Sequence, residues 1–276
     1  MSARLALLCA FFLVGCKLDG FLYAPERVSG YTFDPQGKDA ETTITADRIE
    51  AFDVVVDDEV TVKAVYVKGS QQPPKGYVLF FHGKSSHLEL EFHRIKRFSN
   101  YGYDVMAFDY RGFGASSDVE ITEEGIGKDS AAVLAEMRTR IPQGDPRLIF
   151  WGDSFGTATA SQRAHEDNPR GLILEEPFAS LKFFAQDASR MDIPGTFVND
   201  AQWDTAGRVH DLKAVPKLIF HGTADELIDK KNSQTIYDRA QEPKRLVFLE
   251  GGTHGHLHEI DGYRETINAF LDEMVP

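Results

Sequence analysis

Six short runs in this chain are apolar almost from end to end: Tyr77–Phe81, Asp104–Phe108, Arg147–Trp151, Leu172–Leu174, Lys217–Phe220 and Leu246–Leu249. A strand with one wet face alternates polar and apolar residues. A strand covered on both faces has no reason to alternate. Between the runs lie stretches at helical spacing, such as Glu89–Asn100 with Phe92, Ile95 and Phe98 on one stripe and a charged far face. Further helices are predicted over about 124–140, closed by Pro142 and Gly144, over about 230–240, and over about 259–273. Buried strands alternating with helices predict a mostly parallel, helix-flanked central sheet, class α/β. Ile49–Val56 and Val60–Val67 do alternate, with Asp57-Asp58-Glu59 between them, and predict a hairpin of half-exposed strands. Residues 179–212 are less regular, and aromatics such as Phe183, Phe184, Phe197 and Trp203 there read as core.

With 276 residues, 42% of them hydrophobic, the chain can bury a sizeable core. A net charge of -13 argues against a sequence-independent nucleic-acid surface, and no nucleic-acid partner is expected. The two cysteines, Cys9 and Cys16, both lie near the N-terminus, which excludes a disulfide framework and a cysteine-based metal site for the body. Met1–Arg4 is a short cationic segment and Leu5–Val14 an apolar one too short to span a bilayer comfortably. Leu13-Val14-Gly15-Cys16 then resembles the lipobox of bacterial lipoproteins. The resemblance implies export, removal of residues 1–15 and a lipid anchor on Cys16, hence a membrane partner. Lys17 stands where an inner-membrane retention signal would have Asp, which implies the outer membrane in a Gram-negative cell. The domain division is therefore 1–15 signal peptide, 16–45 tether or N-terminal extension, and 46–276 folded domain. The aromatics of the extension, such as Phe21 and Tyr23, favour partial packing on the body over a free linker.

In a parallel sheet, ligands bind beyond the carboxyl ends of the strands. Four strands end there in polar or glycine-rich clusters: His82-Gly83, Gly152-Asp153-Ser154, Asp225 and His254. Gly152-Asp153-Ser154-Phe155-Gly156 is G-x-S-x-G, a sharp strand-to-helix turn that lifts a serine hydroxyl out of the backbone. A serine hydroxyl is a weak nucleophile and needs an adjacent base. His254 is the expected base and Asp225 the acid that orients it. His256 competes with His254, and Glu175 and Glu176 offer an alternative acid one strand earlier. Asp153 reads as a helix N-terminal residue facing the dipole, Arg111 as an ion-pair partner of the Asp109 loop, and His82 and His221 as loop-holding hydrogen bonders. His254, His256 and His258 alternate without a supporting cysteine or carboxylate pattern, so no metal site or other cofactor is expected.

With Phe81-His82-Gly83, Asp109-Tyr110-Arg111-Gly112-Phe113-Gly114, Leu174-Glu175-Glu176-Pro177-Phe178, His221-Gly222-Thr223-Ala224-Asp225 and Gly251-Gly252-Thr253-His254 added to the serine turn, the chain resembles the α/β-hydrolases. The likeness is to the group that includes the Bem46-like and ABHD13/ABHD17-like serine hydrolases, near the S33 aminopeptidase superfamily, and runs from about residue 49 to the C-terminus. It implies the order Ser154, Asp225, His254 for a triad, with the Phe155 and Lys84 backbone N–H groups holding the oxyanion. It also implies a short insertion after residue 178 rather than a large cap. The implied reaction is cleavage of an ester, amide or thioester of a small molecule or lipid through an acyl-enzyme. An S33-like peptidase and a non-catalytic lipoprotein that uses the fold for binding are the alternatives.

Overall fold

The apolar runs become the middle of one eight-stranded sheet. The computed structural model describes residues 23–183 and 203–274. The strands are β1 (Ile49–Val55), β2 (Thr61–Val67), β3 (Tyr77–Phe81), β4 (Asp104–Phe108), β5 (Leu148–Asp153), β6 (Gly171–Glu175), β7 (Lys217–Gly222) and β8 (Lys244–Leu249). The helices are α1 (Leu88–Asn100), α2 (Glu123–Arg140), α3 (Phe155–Asp167), α4 (Thr205–Asp211), α5 (Lys231–Arg239) and α6 (Tyr263–Met274). The strand order is β1-β2-β4-β3-β5-β6-β7-β8. β2 runs antiparallel to both of its neighbours, and every other pair is parallel.

Alternate residues along each central strand enter opposite layers, as the pleat requires. Leu79, Phe81, Phe150, Leu172 and Leu174 pack with α2 and α3 on one face. Val78, Phe80, Ile149, Trp151 and Ile173 pack with α1 and α6 on the other. A continuously apolar run is the sequence form of this two-sided burial. β8 is half-exposed, as an edge strand allows, and Phe248 on it is partly exposed.

The described part of the N-terminal extension, residues 23–45, forms a strap packed against the body. Tyr23 is buried against Phe155 and Trp203, Arg27 and Val28 bond along Gly114 and Phe113, and Phe33 and Ile44 enter the α1 layer. The charged far face of α1 is not solvated, since Glu91, Arg94 and Lys96 are buried. Lys96 Nζ donates to the carbonyls of Asp34 and Gln36 in the strap, at 2.9 and 2.5 Å. The irregular segment after β6 contains α4, whose start is capped by Asp204 accepting from Gly207 N. Phe184, Phe197 and Cys16 lie outside the described residues. Among the described residues, no helix is long and apolar enough to cross a membrane.

Candidate active site

β5 ends at Asp153 and α3 begins at Phe155, leaving Ser154 alone to turn the chain. Its backbone sits at φ 51° and ψ -116°, a conformation that costs an L-residue about 1–3 kcal/mol and is held by its surroundings. Ser154 N donates to Glu175 O at 2.9 Å, and Ser154 O accepts from Thr157 N and Thr157 Oγ1 at 3.0 and 2.6 Å. The flanking glycines are required by close approach. A Cβ on Gly152 would lie 2.4 Å from Gly156 O, and one on Gly156 would lie 1.9 Å from Phe81 O. No side chain larger than hydrogen fits either position without moving backbone.

His254 Nε2 lies 3.0 Å from Ser154 Oγ, and His254 Nδ1 lies 2.8 Å from Asp225 Oδ2. Both contacts are in hydrogen-bond range, so the three residues expected from the sequence meet in one line. His256 is not a rival: it is exposed and turned back on His254 O. The Asp225 side chain is fully buried and amply bonded. Its Oδ1 accepts from Leu227 N and Ile228 N at 2.8 and 2.9 Å, and its Oδ2 lies 3.1 Å from His221 Nε2. Burial alone would raise this carboxyl. The hydrogen bonds from His221 and His254 outweigh it and hold Asp225 well below the usual carboxylate range. His221 was expected to hold a loop, and it does so through Ser233 Oγ and Ile228 O. That loop carries the acid.

The oxyanion expectation rests on the first turn of α3 and on the loop after β3. Phe155 N is the first N–H of α3 and has no acceptor within the helix. Gly83 brings the facing loop against the serine, since a Cβ there would meet Ser154 Cβ at 3.6 Å. His82 fixes that loop, with Nδ1 2.8 Å from Gly83 O and Nε2 3.2 Å from Asp109 Oδ1. The next residue, Lys84, is half-buried, and burial lowers its ammonium from the ordinary lysine value. Arg111 pairs with Asp129 of α2 at 2.7 Å, not with the Asp109 loop.

Beneath the serine lies a buried charge network that sequence reasoning missed. Arg94 Nη1 reaches Glu175 Oε1 at 3.0 Å and Asp153 Oδ1 at 3.3 Å. Its Nε pairs with Glu91 at 3.1 Å, and its Nη2 donates to Gly255 O at 2.6 Å. Asp153 is therefore an ion-pair partner from the end of β5 rather than a dipole-facing helix residue. Trp151 Nε1 and Tyr263 Oη also donate to Glu175. Burial still pushes Glu175 up to about 7, against the pull of Arg94. Glu176 is fully buried at φ 52° and its Oε2 accepts from Gly255 N at 2.6 Å. Burial, Asp153 and Glu175 push it up to about 10. Glu176, Asp225 and His254 also place one ligand atom each within 4.8 Å of the others, so they are the described residues best placed to share a metal ion. Both His254 nitrogens already face Ser154 and Asp225, so such an ion would compete with that arrangement.

Residues 72–194 and 195–261 match the family described as serine aminopeptidase, S33 (Hydrolase_4). The chain is an α/β-hydrolase of the S33 family. This α/β-hydrolase is 25% identical over 274 residues to the uncharacterized protein YfhR of Escherichia coli K12, covering 95% of this chain and 90% of that one. It is 27% identical over 228 residues to human alpha/beta hydrolase domain-containing protein 17B, covering 82% and 76% respectively. Among solved structures, the Pyrococcus furiosus esterase Pf2001 superposes with a TM-score of 0.70 at 18% identity, covering 92% of this chain and 98% of that one. Two of the open cavities among the described residues are large. One of 660 Å³ lies at the amino ends of the strands, around Leu148 and Pro216, far from Ser154. The other, of 640 Å³, lies between the strap, α1 and the loop after His254, and includes Gly255 and His256.

Proposed function

We propose that this α/β-hydrolase is a serine hydrolase that cleaves a carboxylic ester through an acyl-enzyme. The observation that carries the reading is the unbroken line from Ser154 Oγ through His254 to Asp225, at 3.0 and 2.8 Å. Ser154 Oγ attacks the acyl carbon while His254 Nε2 takes its proton. The Asp225 carboxylate holds the proton on Nδ1 and stabilises the imidazolium. The oxyanion forms opposite the Phe155 N–H, with the Lys84 backbone N–H as second donor. When the tetrahedral adduct collapses, the alkoxide leaves with the proton from Nε2. Water then enters and attacks the acyl carbon as Nε2 takes its proton, and the second tetrahedral adduct collapses to the free acid as Ser154 Oγ leaves with the proton from Nε2. The same groups serve an amide or thioester. The likeness to an esterase structure supports the ester, and the family description supports a peptide amide as the second reading.

Ser154→Ala is expected to abolish turnover of p-nitrophenyl esters and labelling by a fluorophosphonate, with unfolding by urea unchanged. Full turnover in that variant rejects the assignment, and a series of ester chain lengths and aminoacyl amides separates esterase from peptidase. We further propose that Cys16 is lipidated and that the enzyme works at a membrane surface on lipid or small esters. Two or more acyl chains on one residue hold a protein on a bilayer far better than one. An intact mass beginning at an acylated Cys16 is expected, whereas a mass retaining Met1 rejects the anchor.

A further inference from the structure

Two carboxyl groups, from different strands, approach the same nitrogen of the candidate base. Asp225 Oδ2 lies 2.8 Å from His254 Nδ1, and Glu176 Oε2 lies 3.6 Å from it. We propose that Glu176 is a positioning residue for His254, anchoring the base loop through Gly255 and standing in for Asp225 when that carboxylate is lost. The inference rests on the serine hydrolase reading.

Glu176 is the residue after β6, and its positive φ turns the side chain under the loop that follows β8. The 2.6 Å bond from Gly255 N fixes the residue next to His254. Arg94 Nη2 donates to the carbonyl of the same Gly255, so the two peptide groups that flank this residue are each held by a buried side chain. Glu176 Oε1 is buried and has no partner among the described residues. A carboxylate in that position would be left half-solvated by nothing. The charged and titratable groups around it explain which form it takes. Asp153 comes from β5, Glu175 from β6, His221 from β7, Asp225 from the loop after β7, His254 from the loop after β8 and Arg94 from α1. Arg94 is committed to Glu175, Asp153, Glu91 and Gly255 O. Burial first, then its acidic neighbours Asp153, Glu175 and Asp225, favour the uncharged acid at Glu176, since Arg94 is committed to other partners.

Removing the Asp225 charge changes this balance. One repelling anion disappears, so Glu176 ionises at lower pH, its proton passing to solvent. Its Oε2 then needs to close less than an ångström to accept Nδ1–H of His254. Two carboxyl groups at one imidazole thus act in series rather than together.

A double-mutant cycle with p-nitrophenyl butyrate tests this. Removing a triad acid without replacement costs about 10⁴-fold in kcat. Asp225→Asn is expected to lose only about 10²-fold, and Asp225→Asn/Glu176→Gln about 10⁴-fold, while Glu176→Gln alone loses about threefold at unchanged KM. The activity of Asp225→Asn is expected to rise with pH more steeply than that of the double variant. A low-field Nδ1–H proton resonance is expected in the single Asp225→Asn variant at high pH and absent from the double. Equal kcat and equal pH profiles in the single and double variants overturn the proposal. Urea unfolding of each variant separates a folding defect from a catalytic one. Failure of the wild type to react with a fluorophosphonate is a different result, since it removes the serine hydrolase reading itself.

Discussion

Arg94 shows how much a single side chain decides at this site. Its guanidinium is fully buried, and it is the shared cation of Glu91, Asp153 and Glu175. Those last two acids end β5 and β6, directly under Ser154, so their separation sets where the elbow sits. Removing one partner of a buried ion pair costs about 3–5 kcal/mol, because the other charge is left unpaired in a low dielectric. Here the cost depends on pH. Burial has already raised Glu175 to about 7 and Asp153 above its ordinary value. Below neutral pH, Glu175 can take a proton and escape the penalty; above it, the carboxylate is stranded. The sign follows from linkage: an acid raised in the folded state binds a proton that the unfolded chain has lost, so stability falls as pH rises. Arg94→Met is therefore expected to be destabilised more at pH 9 than at pH 6, by about 1 kcal/mol or more, in urea titrations at both values. A loss of stability that is equal at the two pH values would show that Arg94 acts by packing alone.

At the scale of elements, what was legible in the sequence is what depends on a residue's own neighbours along the chain. Leu148–Trp151 is apolar because β5 is covered on both faces, and Gly152 and Gly156 stand where backbone approaches too closely for a Cβ. Both facts print themselves on consecutive positions, so the elbow and its strand could be read directly. The hairpin of β1 and β2 was only half readable: β1 keeps a wet face, whereas Ala64–Val67 of β2, expected to be half-exposed, is buried on both faces between the two core layers. The loops holding Asp225 and His254 follow apolar strands and carry glycines, which located them without any knowledge of distance. α1 was misread because helical spacing reports which residues share a stripe, not what covers it. Glu91, Arg94 and Lys96 look like a solvated face until the strap and the ends of β5 and β6 arrive from 40 or more residues away. α4 was missed for a related reason. It has seven residues, too few to show a period, and its position depends on Trp203 packing between Tyr23 and Phe155. The place of Glu176 after β6 marks it as an alternative acid, but only the fold sets it 3.6 Å from Nδ1, behind Asp225.

For the whole molecule, the strap is the feature that would link the proposed anchor to the candidate active site. If Cys16 carries lipid, the chain reaches Tyr23 in seven residues, which extended span at most about 25 Å. Tyr23 packs edge-on against Phe155, the residue after the candidate nucleophile, with ring centroids 5.7 Å apart. A lipidated chain is thus held at the bilayer by the side of the molecule that carries Ser154. The strap is also structural. Tyr23, Phe33 and Ile44 are all buried. Full burial of such side chains contributes about 1.5–3 kcal/mol each. Their loss removes about 4.5–9 kcal/mol, against a total stability of about 5–15 kcal/mol for a typical domain. Polar contacts go with them. Lys96 loses both carbonyls that receive its ammonium, and Glu89 loses the Thr32 hydroxyl and the Thr32 and Phe33 N–H groups. Arg97 loses Glu41, and Trp203 Nε1 loses Tyr23 Oη, its 3.1 Å acceptor. A chain starting at residue 46, the sequence-based boundary of the folded domain, is therefore expected to unfold in urea far earlier than one starting at residue 23. It is also expected to react more slowly with a fluorophosphonate under conditions where it is still folded, because Phe155 and Trp203 lose a wall. Matching unfolding midpoints and labelling rates for the two chains would return residues 23–45 to the role of a tether.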